Sequence, residues 1–205
     1  MNKLLSWARQ VQATSQNGIT YAVNDYDLER YRSLQKIASE MMAEGDPNIS
    51  PLQVAEFFSR EQGHATPKVD VRAGVFRDGR ILLVREISDG GWTLPGGWAD
   101  VGDEPSVAAV REVKEESGFD VRAKKLVAVH DRDKHGHPPI PYHAYKIFFL
   151  CELIGGEAQT SNETDGVEFF AEDRLPLLSL TRTVPEQIAM MFRHWREPGL
   201  AAEFD

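Results

Sequence analysis

Apolar residues in the first 64 positions recur every three to four residues, which is the spacing of amphipathic helices. Two such faces are formed by Leu4, Leu5, Ala8 and Val11, and by Leu28, Tyr31, Leu34, Ile37 and Met41. We expect the second of these helices to stop at Gly45, with Pro47 just beyond it.

A third helix is predicted by its start signals. Ser50 is the expected N-cap, Pro51 the first helical residue and Gln53 the partner of a capping box. Leu52, Phe57 and Phe58 form its apolar face, and Gly63 is expected to end it. Residues 1–64 are therefore predicted to form a small all-helical domain.

The apolar period changes to two from residue 68 onward. Val69, Val71, Ala73 and Val75 alternate with other residues, and Asp78-Gly79 then predicts a turn into a return strand over 81–85. Further strands are predicted over 125–131, 143–153 and 167–171, and helices over 104–117 and 184–196. Residues 65–205 are therefore predicted to form an α/β layered domain.

Composition narrows the class of protein. Hydrophobic residues make up 41% of the 205 residues, and no apolar run approaches the ~20 residues of a membrane span. The N-terminus is too polar for a signal peptide, and the single cysteine, Cys151, sits in an apolar run typical of a core. We expect a cytoplasmic protein with no membrane partner.

The formal net charge of −9 disfavours a protein that binds duplex DNA, because such binding depends largely on Lys and Arg. An acidic protein can still bind phosphates when a divalent cation lies between its carboxylates and the ligand. If the substrate is a phosphate compound, the charge therefore calls for a metal.

One segment, residues 96–119, carries the candidate chemistry. On a helix over 104–117, Glu112, Glu115 and Glu116 fall within about 100° of one another, beside Ala108. The valines at 107, 110 and 113 form the opposite face. Pro105 suits the first turn and Gly118 the C-terminal cap.

Three carboxylates on one helical face repel one another and require a counter-ion. Arg111 lies near Glu115 and can orient one of them, while Lys114 points elsewhere. Oxygen ligands without imidazole or thiolate nearby select Mg²⁺ or Mn²⁺. The alternative is an ordinary solvated acidic face, which the sequence REVKEE alone would favour.

The surrounding residues resemble the Nudix box, which runs from a glycine through a glutamate to Arg-Glu-aliphatic-x-Glu-Glu-x-Gly-aliphatic. The matching positions are Gly97, Arg111, Glu112, Val113, Glu115, Glu116, Gly118 and Phe119, preceded by the similar lead-in from Trp92 to Gly97. Asp103 stands where the family has its first glutamate, which keeps the charge and loses one methylene of reach.

This resemblance implies a Nudix α/β/α sandwich with a mixed sheet, and an enzyme that hydrolyses a nucleoside diphosphate linked to a moiety X. It implies that Glu112, Glu115, Glu116 and the Gly97 carbonyl bind Mg²⁺ or Mn²⁺, and that Arg111 orients the carboxylates. Charge neutralisation and an activated water are what diphosphate hydrolysis needs.

The N-terminal segment resembles the accessory domain of a bacterial subgroup described as ADP-ribose pyrophosphatases, with CDP-choline pyrophosphatase a close variant. The products would be a nucleoside monophosphate and a phosphorylated X. The apolar faces of the helices predict that they pack on the Nudix domain of their own chain or on a second subunit, and we expect a homodimer. A ligand-sensing regulator without catalysis is the rival hypothesis, but the glutamates are intact and the segment holds more acidic than basic residues.

The catalytic base is expected beyond the box, at Glu163 or Glu168, with Gly166 allowing the loop to close over substrate. Both could instead be solvated loop charges, which would return the role to Glu112 or Glu115. His130, His135, His137 and His143 invite a metal-site interpretation, but the sequence HGHPPIPYH, which holds the last three, is typical of a surface loop with turn-forming prolines. Trp92, Trp98, Phe169 and Phe170 are either core residues or candidates for stacking a base.

Overall fold

A computed structural model describes residues 3–44 and 50–205. The expected helix end at Gly45 and Pro47 lies outside the described residues. The chain divides into two compact units, one of helices and one built on a sheet.

The helical unit contains α1 (Lys3–Tyr21), α2 (Asp25–Glu44) and α3 (Pro51–Ser59). The predicted capping box is confirmed, because the Ser50 hydroxyl accepts from the Gln53 backbone and the Gln53 side chain accepts from the Ser50 backbone. The expected end of α3 at Gly63 is wrong. The helix ends earlier, where the Arg60 N–H donates to the Phe57 carbonyl and the Glu61 N–H donates to the Phe58 carbonyl.

The core of this unit is small. It consists of Leu5, Ala8, Met42, Val54 and Phe58. The buried side of α1 continues into polar residues at Gln12, Ser15 and Gln16, whereas Leu4 and Val11 of the predicted face are only half-buried.

The predicted apolar face of α2 is buried only in part: Leu28, Tyr31 and Met41 are half-buried, and Met41 packs against the core. Ala38, Ser39 and Met42 are buried, whereas Leu34 and Ile37 are 37% and 45% exposed. Leu52, on the predicted face of α3, is also exposed, because Val54 and Phe58 supply the contacts of that helix. The helices therefore carry apolar surface beyond what their own core uses.

A short segment distant in sequence, Pro139–His143, clusters with the helical unit. The Tyr142 ring stacks on Phe57 with centroids 5.6 Å apart, and Arg9 donates to the Ile140 carbonyl. The predicted helical domain, residues 1–64, does not include this segment. The predicted domain boundary between residues 64 and 65 stays a prediction.

The second unit is built on a mixed sheet, as expected. Its strands are β1 (Lys68–Arg77), β2 (Arg80–Glu86), β3 (Trp92–Thr93), β4 (Phe119–Asp131), β5 (Ala144–Gly156), β6 (Thr164–Phe170) and β7 (Glu203–Phe204). The order is β3-β2-β1-β5-β4-β7, with β6 paired to β2. The β1–β5 and β4–β7 pairs are parallel, and the others antiparallel.

The structure confirms the predicted turn after β1 but starts β4 earlier than predicted. Asp78 and Gly79 form the expected turn, both with positive φ, at 51° and 73°. β4 begins at Phe119 rather than 125: residues 119–124 alternate apolar and polar, and the register shift between Ala123 and Lys125 separates them from the predicted segment.

Helices α4 (Pro105–Ser117) and α5 (Pro185–Arg196) pack in two separate cores. Val113 of α4 belongs to the core that contains Val71 and Cys151, and Ile188 of α5 to the core that contains Leu83. The sandwich expectation is confirmed. Val107 is 55% exposed, so the predicted valine face is buried mainly through Val113.

Two compositional expectations also have structural outcomes. Cys151 is buried, and burial raises the pKa of its thiol to about 12, as suits an inert core residue. Among the described residues, every helix is too short or too polar to cross a membrane.

Candidate active site

Helix α4 presents its three glutamates at different depths. Pro105 starts the helix, and Gly118 ends it with a left-handed φ of 77°. Glu116 is 6% exposed, the Glu112 side chain 13% and the Glu115 side chain 58%. The solvent exposure of the three carboxylates on this face therefore increases from Glu116 through Glu112 to Glu115.

Residues 94–97, which we call the glycine segment, lie alongside β1. The N–H groups of Val71 and Ala73 donate to the carbonyls of Gly97 and Pro95 at 2.8 and 2.9 Å. Gly96 has φ +142°, and a Cβ there would lie 2.0 Å from the Val71 carbonyl oxygen. Only glycine fits this close backbone approach.

The glycine segment touches the carboxylates of α4. The Gly96 N–H donates to Glu116 Oε2 at 2.8 Å, and a Cβ on Gly97 would lie 2.9 Å from Glu112 Oε2. The two ends of the motif, distant in sequence, thus meet at one point.

Arg111 contacts several carboxylates at the more exposed side of the site. It lies 2.8 Å from Glu112 Oε1, 3.1 Å from Glu115 Oε2 and 3.1 Å from Asp103 Oδ2. Asp103 therefore reaches Arg111 despite its shorter side chain. Lys114 turns away, toward Asp120, as expected.

Electrostatics concentrate on the buried glutamates. Burial raises the pKa of Glu116 to about 8, opposed by Arg72 and the Gly96 N–H and reinforced by Glu112 and Glu86. Burial also raises the pKa of Glu112, partly offset by Arg111. Packing these carboxylates together destabilises their charged forms unless a cation is near.

Two contributors were missed by the sequence analysis. Glu86 ends β2 as a buried carboxylate and pairs with Arg182 Nε at 3.0 Å. Arg72 lies buried within β1. The available signal was a charged residue inside or at the end of an apolar strand, which is uncommon unless it is paired.

Glu163 and Glu168 fall in different surroundings. The Glu163 carbonyl accepts from Ile87 N–H, and its charge raises the pKa of both Glu112 and Glu86. Glu168 is exposed and pairs in register with Leu83, whose side chain packs in the core of α5. Glu163 therefore interacts electrostatically with Glu112, whereas Glu168 lies on the α5 side of the sheet.

The aromatic candidates separate in the same way. Phe169 packs edge-on against Phe119, and Trp92 packs against Phe170, so these residues serve the cores. Trp98, which bridges to Asp70, is 43% exposed and remains the candidate for stacking a base.

The histidines of the predicted loop, His135, His137 and His143, are half-buried positions outside the strands. His130 lies within the predicted strand and is buried in β4, where the His135 ring stacks on it at 3.7 Å. His137 is held by the Leu180 carbonyl and by Gln187, and burial lowers its pKa to about 4. A neutral histidine of this kind is structural.

The donor set fits a hard divalent cation. Glu112, Glu115 and Glu116 supply carboxylate oxygens, and the space that a Cβ on Gly97 would fill lies directly against Glu112. No cysteine is near, since the sole Cys151 is in the core. A dication would offset the repulsion among these groups.

Comparison with known proteins agrees with this geometry. The NUDIX domain matches residues 66–192, and a UDP-X-like, N-terminal oligomerisation domain matches residues 2–58. The chain is 45% identical over 204 residues to YjhB of Bacillus subtilis (strain 168), named as a candidate ADP-ribose pyrophosphatase, covering 99% of this chain and 97% of that protein.

Two solved structures are similar. A UDP-X diphosphatase has a TM-score of 0.64 at 31% identity, covering 99% of this chain and 98% of that one. An ADP-ribose pyrophosphatase from Streptococcus suis has a TM-score of 0.63 at 44% identity, covering 68% of this chain and 100% of that one. The chain belongs to the Nudix family and is a Nudix hydrolase.

Proposed function

We propose that this enzyme hydrolyses the diphosphate bond of ADP-ribose in a reaction that depends on Mg²⁺ or Mn²⁺. The observation that carries the proposal is the convergence of Glu112 and Glu116 on the glycine segment at residues 96 and 97. It supplies clustered oxygen ligands beside a backbone that leaves space for a ligand.

In this proposal the metal is held by Glu112, Glu115, Glu116 and the Gly97 carbonyl. The bound metal neutralises charge on the diphosphate and makes a water more acidic. Arg111, fixed by Asp103, orients the two glutamates it contacts.

Glu163 is proposed as the group that accepts a proton from the attacking water. It is exposed, and it is electrostatically coupled to Glu112, as a base at the mouth of the site should be. Ser161 Oγ accepts from the Glu163 N–H at 3.1 Å, which fixes the backbone of its loop.

ADP-ribose is the first choice of substrate because two of the similar proteins carry that activity in their names and match this chain at 44–45% identity. CDP-choline and UDP-linked compounds are the competing substrates, the latter from the name of the third similar protein. The products would be a nucleoside monophosphate and a phosphorylated X.

We further propose a homodimer assembled through residues 1–64, with the catalytic domain spanning 65–205. The partly exposed apolar face of α2 supports this assembly, as does the match to an oligomerisation domain. A cytoplasmic location is retained on the grounds of the single buried cysteine.

The test is a substrate panel. Purified protein with Mg²⁺ would be incubated with ADP-ribose, CDP-choline, a UDP-sugar and a dinucleoside polyphosphate, and the products identified by mass spectrometry. The highest kcat/KM for ADP-ribose is expected. Turnover of none of these compounds, with ligand binding retained, would instead support a regulator.

A further inference from the structure

Beneath the glycine segment lies a buried ionic cluster made of Asp70, Arg72 and Lys146. Arg72 donates from Nε and Nη2 to the two oxygens of Asp70, at 2.9 and 2.8 Å. Lys146 Nζ donates to Asp70 Oδ1 at 2.6 Å. All three side chains are less than a tenth exposed. Such a cluster is costly to bury.

Only Arg72, of these three, has a described hydrogen bond to the glycine segment. Its Nη1 donates to the Leu94 carbonyl at 3.0 Å and lies 3.3 Å from Thr93 Oγ1. Leu94 is also held from its other side, where its N–H donates to Thr183 Oγ1 at 3.2 Å. The Leu94 carbonyl also accepts from Thr93 Oγ1 at 3.1 Å, so three buried side chains fix the backbone at Leu94.

The position of Leu94 determines where the next residues lie. Pro95 and Gly97 accept hydrogen bonds from β1, and Gly96 donates to Glu116. Leu94, the residue that Arg72 binds, is thus only two residues before Gly96, which contacts Glu116. Arg72 also belongs to β1, the strand that hydrogen-bonds to the glycine segment. Its positive charge also opposes the repulsion around the buried carboxylates.

We infer that Arg72 is a positioning residue for the active site: held by Asp70, it fixes Leu94 and thereby the glycine segment that contacts Glu112 and Glu116. The inference rests on the proposed function, because it assigns Arg72 to the shell around the metal ligands. Residues in such a shell typically affect metal affinity or activity by about 10–100-fold.

Lys146 provides a matched control. It shares the Asp70 partner and the burial of Arg72, but its described hydrogen bond goes to Asp70 alone. Replacing it with methionine removes a buried charge from the same cluster and leaves the Arg72 contacts with Leu94. Loss of stability without loss of positioning is therefore expected for Lys146→Met.

The experiment compares the wild type with Arg72→Met, Arg72→Lys and Lys146→Met. Three quantities are measured: Mn²⁺ affinity by electron paramagnetic resonance, kcat and KM, and backbone hydrogen exchange over residues 92–97. Thermal unfolding identifies the temperature at which every variant is folded. The exchange and Mn²⁺ measurements need no turnover.

For Arg72→Met we expect Mn²⁺ affinity to fall by about 10–100-fold, kcat to fall by a similar factor, and KM to change much less. Exchange over 92–97 should accelerate. Arg72→Lys should show the same change in exchange, because a lysine cannot bind Asp70 and Leu94 in the same fork geometry. Its loss of Mn²⁺ affinity should be smaller, because the positive charge is kept. Lys146→Met should keep its affinity and kcat within about threefold, despite a lower Tm.

If hydrogen exchange and Mn²⁺ affinity are unchanged in Arg72→Lys, the inference is overturned. This test holds even if Arg72→Met does not fold. Equal losses in Lys146→Met and the Arg72 variants would overturn it too, since they would reflect stability alone. If wild-type protein neither binds Mn²⁺ nor turns over substrate, the proposed function has failed, and the exchange data still decide whether Arg72 positions the segment.

Discussion

The Gly96 N–H donates a 2.8 Å hydrogen bond to Glu116 Oε2, and this contact joins the loop that opens the Nudix box to the helix that closes it. It depends on a backbone that lies too close to β1 for any side chain. The buried carboxylate and the glycine therefore form one structural feature.

Replacement of Gly96 by alanine should remove both stability and activity. The new Cβ would lie 2.0 Å from the Val71 carbonyl oxygen, so the segment must move away from Glu116. We expect a loss of about 3–5 kcal/mol in the free energy of unfolding, measured with urea.

Gly136→Ala is the matched control. Gly136 also has positive φ, at 73°, but a Cβ there would meet nothing within 4 Å. Its cost should be the left-handed strain alone, about 1–2 kcal/mol. Equal losses in the two variants would refute the close-approach explanation.

Glu163→Gln should lower kcat by about 10²-fold while Mn²⁺ affinity is retained, as expected for loss of a general base. Glu168→Gln is the control, because Glu168 is exposed and pairs opposite Leu83. The measurement is kcat for each variant between pH 5 and 9. A near-normal rate in Glu163→Gln would exclude this residue as the base.

The sequence predicted the longer strands and both helices of the sheet domain, and the register of the acidic helix, because all of these follow from short-range periodicity; the two-residue strands β3 and β7 carry no such signal. Glu112, Glu115 and Glu116 share a face by helix geometry alone. The contributions of Glu86 and Arg72 could not be predicted, because they depend on strand pairing that brings distant positions together.

In the helical unit, the sequence predicted the helices but not which surfaces they bury. Periodicity identified α2 and its apolar face, but it could not tell whether that face packs inside the chain or against another molecule. The structure buries Ala38 and Met42, packs Met41 of that face against the core, and leaves Leu34 and Ile37 partly exposed.

If that face forms the homodimer, Ile37→Glu should weaken it. A charge placed at a buried apolar contact loses transfer free energy and is left unpaired. Light scattering at micromolar concentration should show a dimer for the wild type and a monomer for the variant. Lys36→Glu, on the neighbouring exposed position, should remain dimeric. A wild-type monomer would contradict the assembly.

The buried Asp70 makes a pH-dependent contribution to stability. Burial would raise its pKa, but Arg72 and Lys146 outweigh burial and hold it at about 2, below the ordinary 3.8. A depressed folded pKa stabilises the protein above about pH 4, and that stabilisation is lost as the pH falls toward 2.

Asp70→Asn should therefore cost about 3–5 kcal/mol at pH 6.5. The difference from wild type should shrink by about 1 kcal/mol at pH 3. Urea unfolding at both pH values measures it. Asp165→Asn, which breaks the exposed 2.7 Å pair with Arg85, should cost about 1 kcal/mol or less. A pH-independent difference for Asp70→Asn would contradict the pKa.

The proposed reaction is metal-dependent hydrolysis of ADP-ribose at the carboxylates of α4. The most direct measurement is the appearance of AMP and ribose 5-phosphate, followed by chromatography, for wild type and Glu116→Gln with Mg²⁺ and with excess chelator. We predict both products from the wild type with Mg²⁺, none in chelator, and about 10²-fold or more loss of kcat in Glu116→Gln. Full activity in chelator, or an unchanged kcat in Glu116→Gln, would contradict the account.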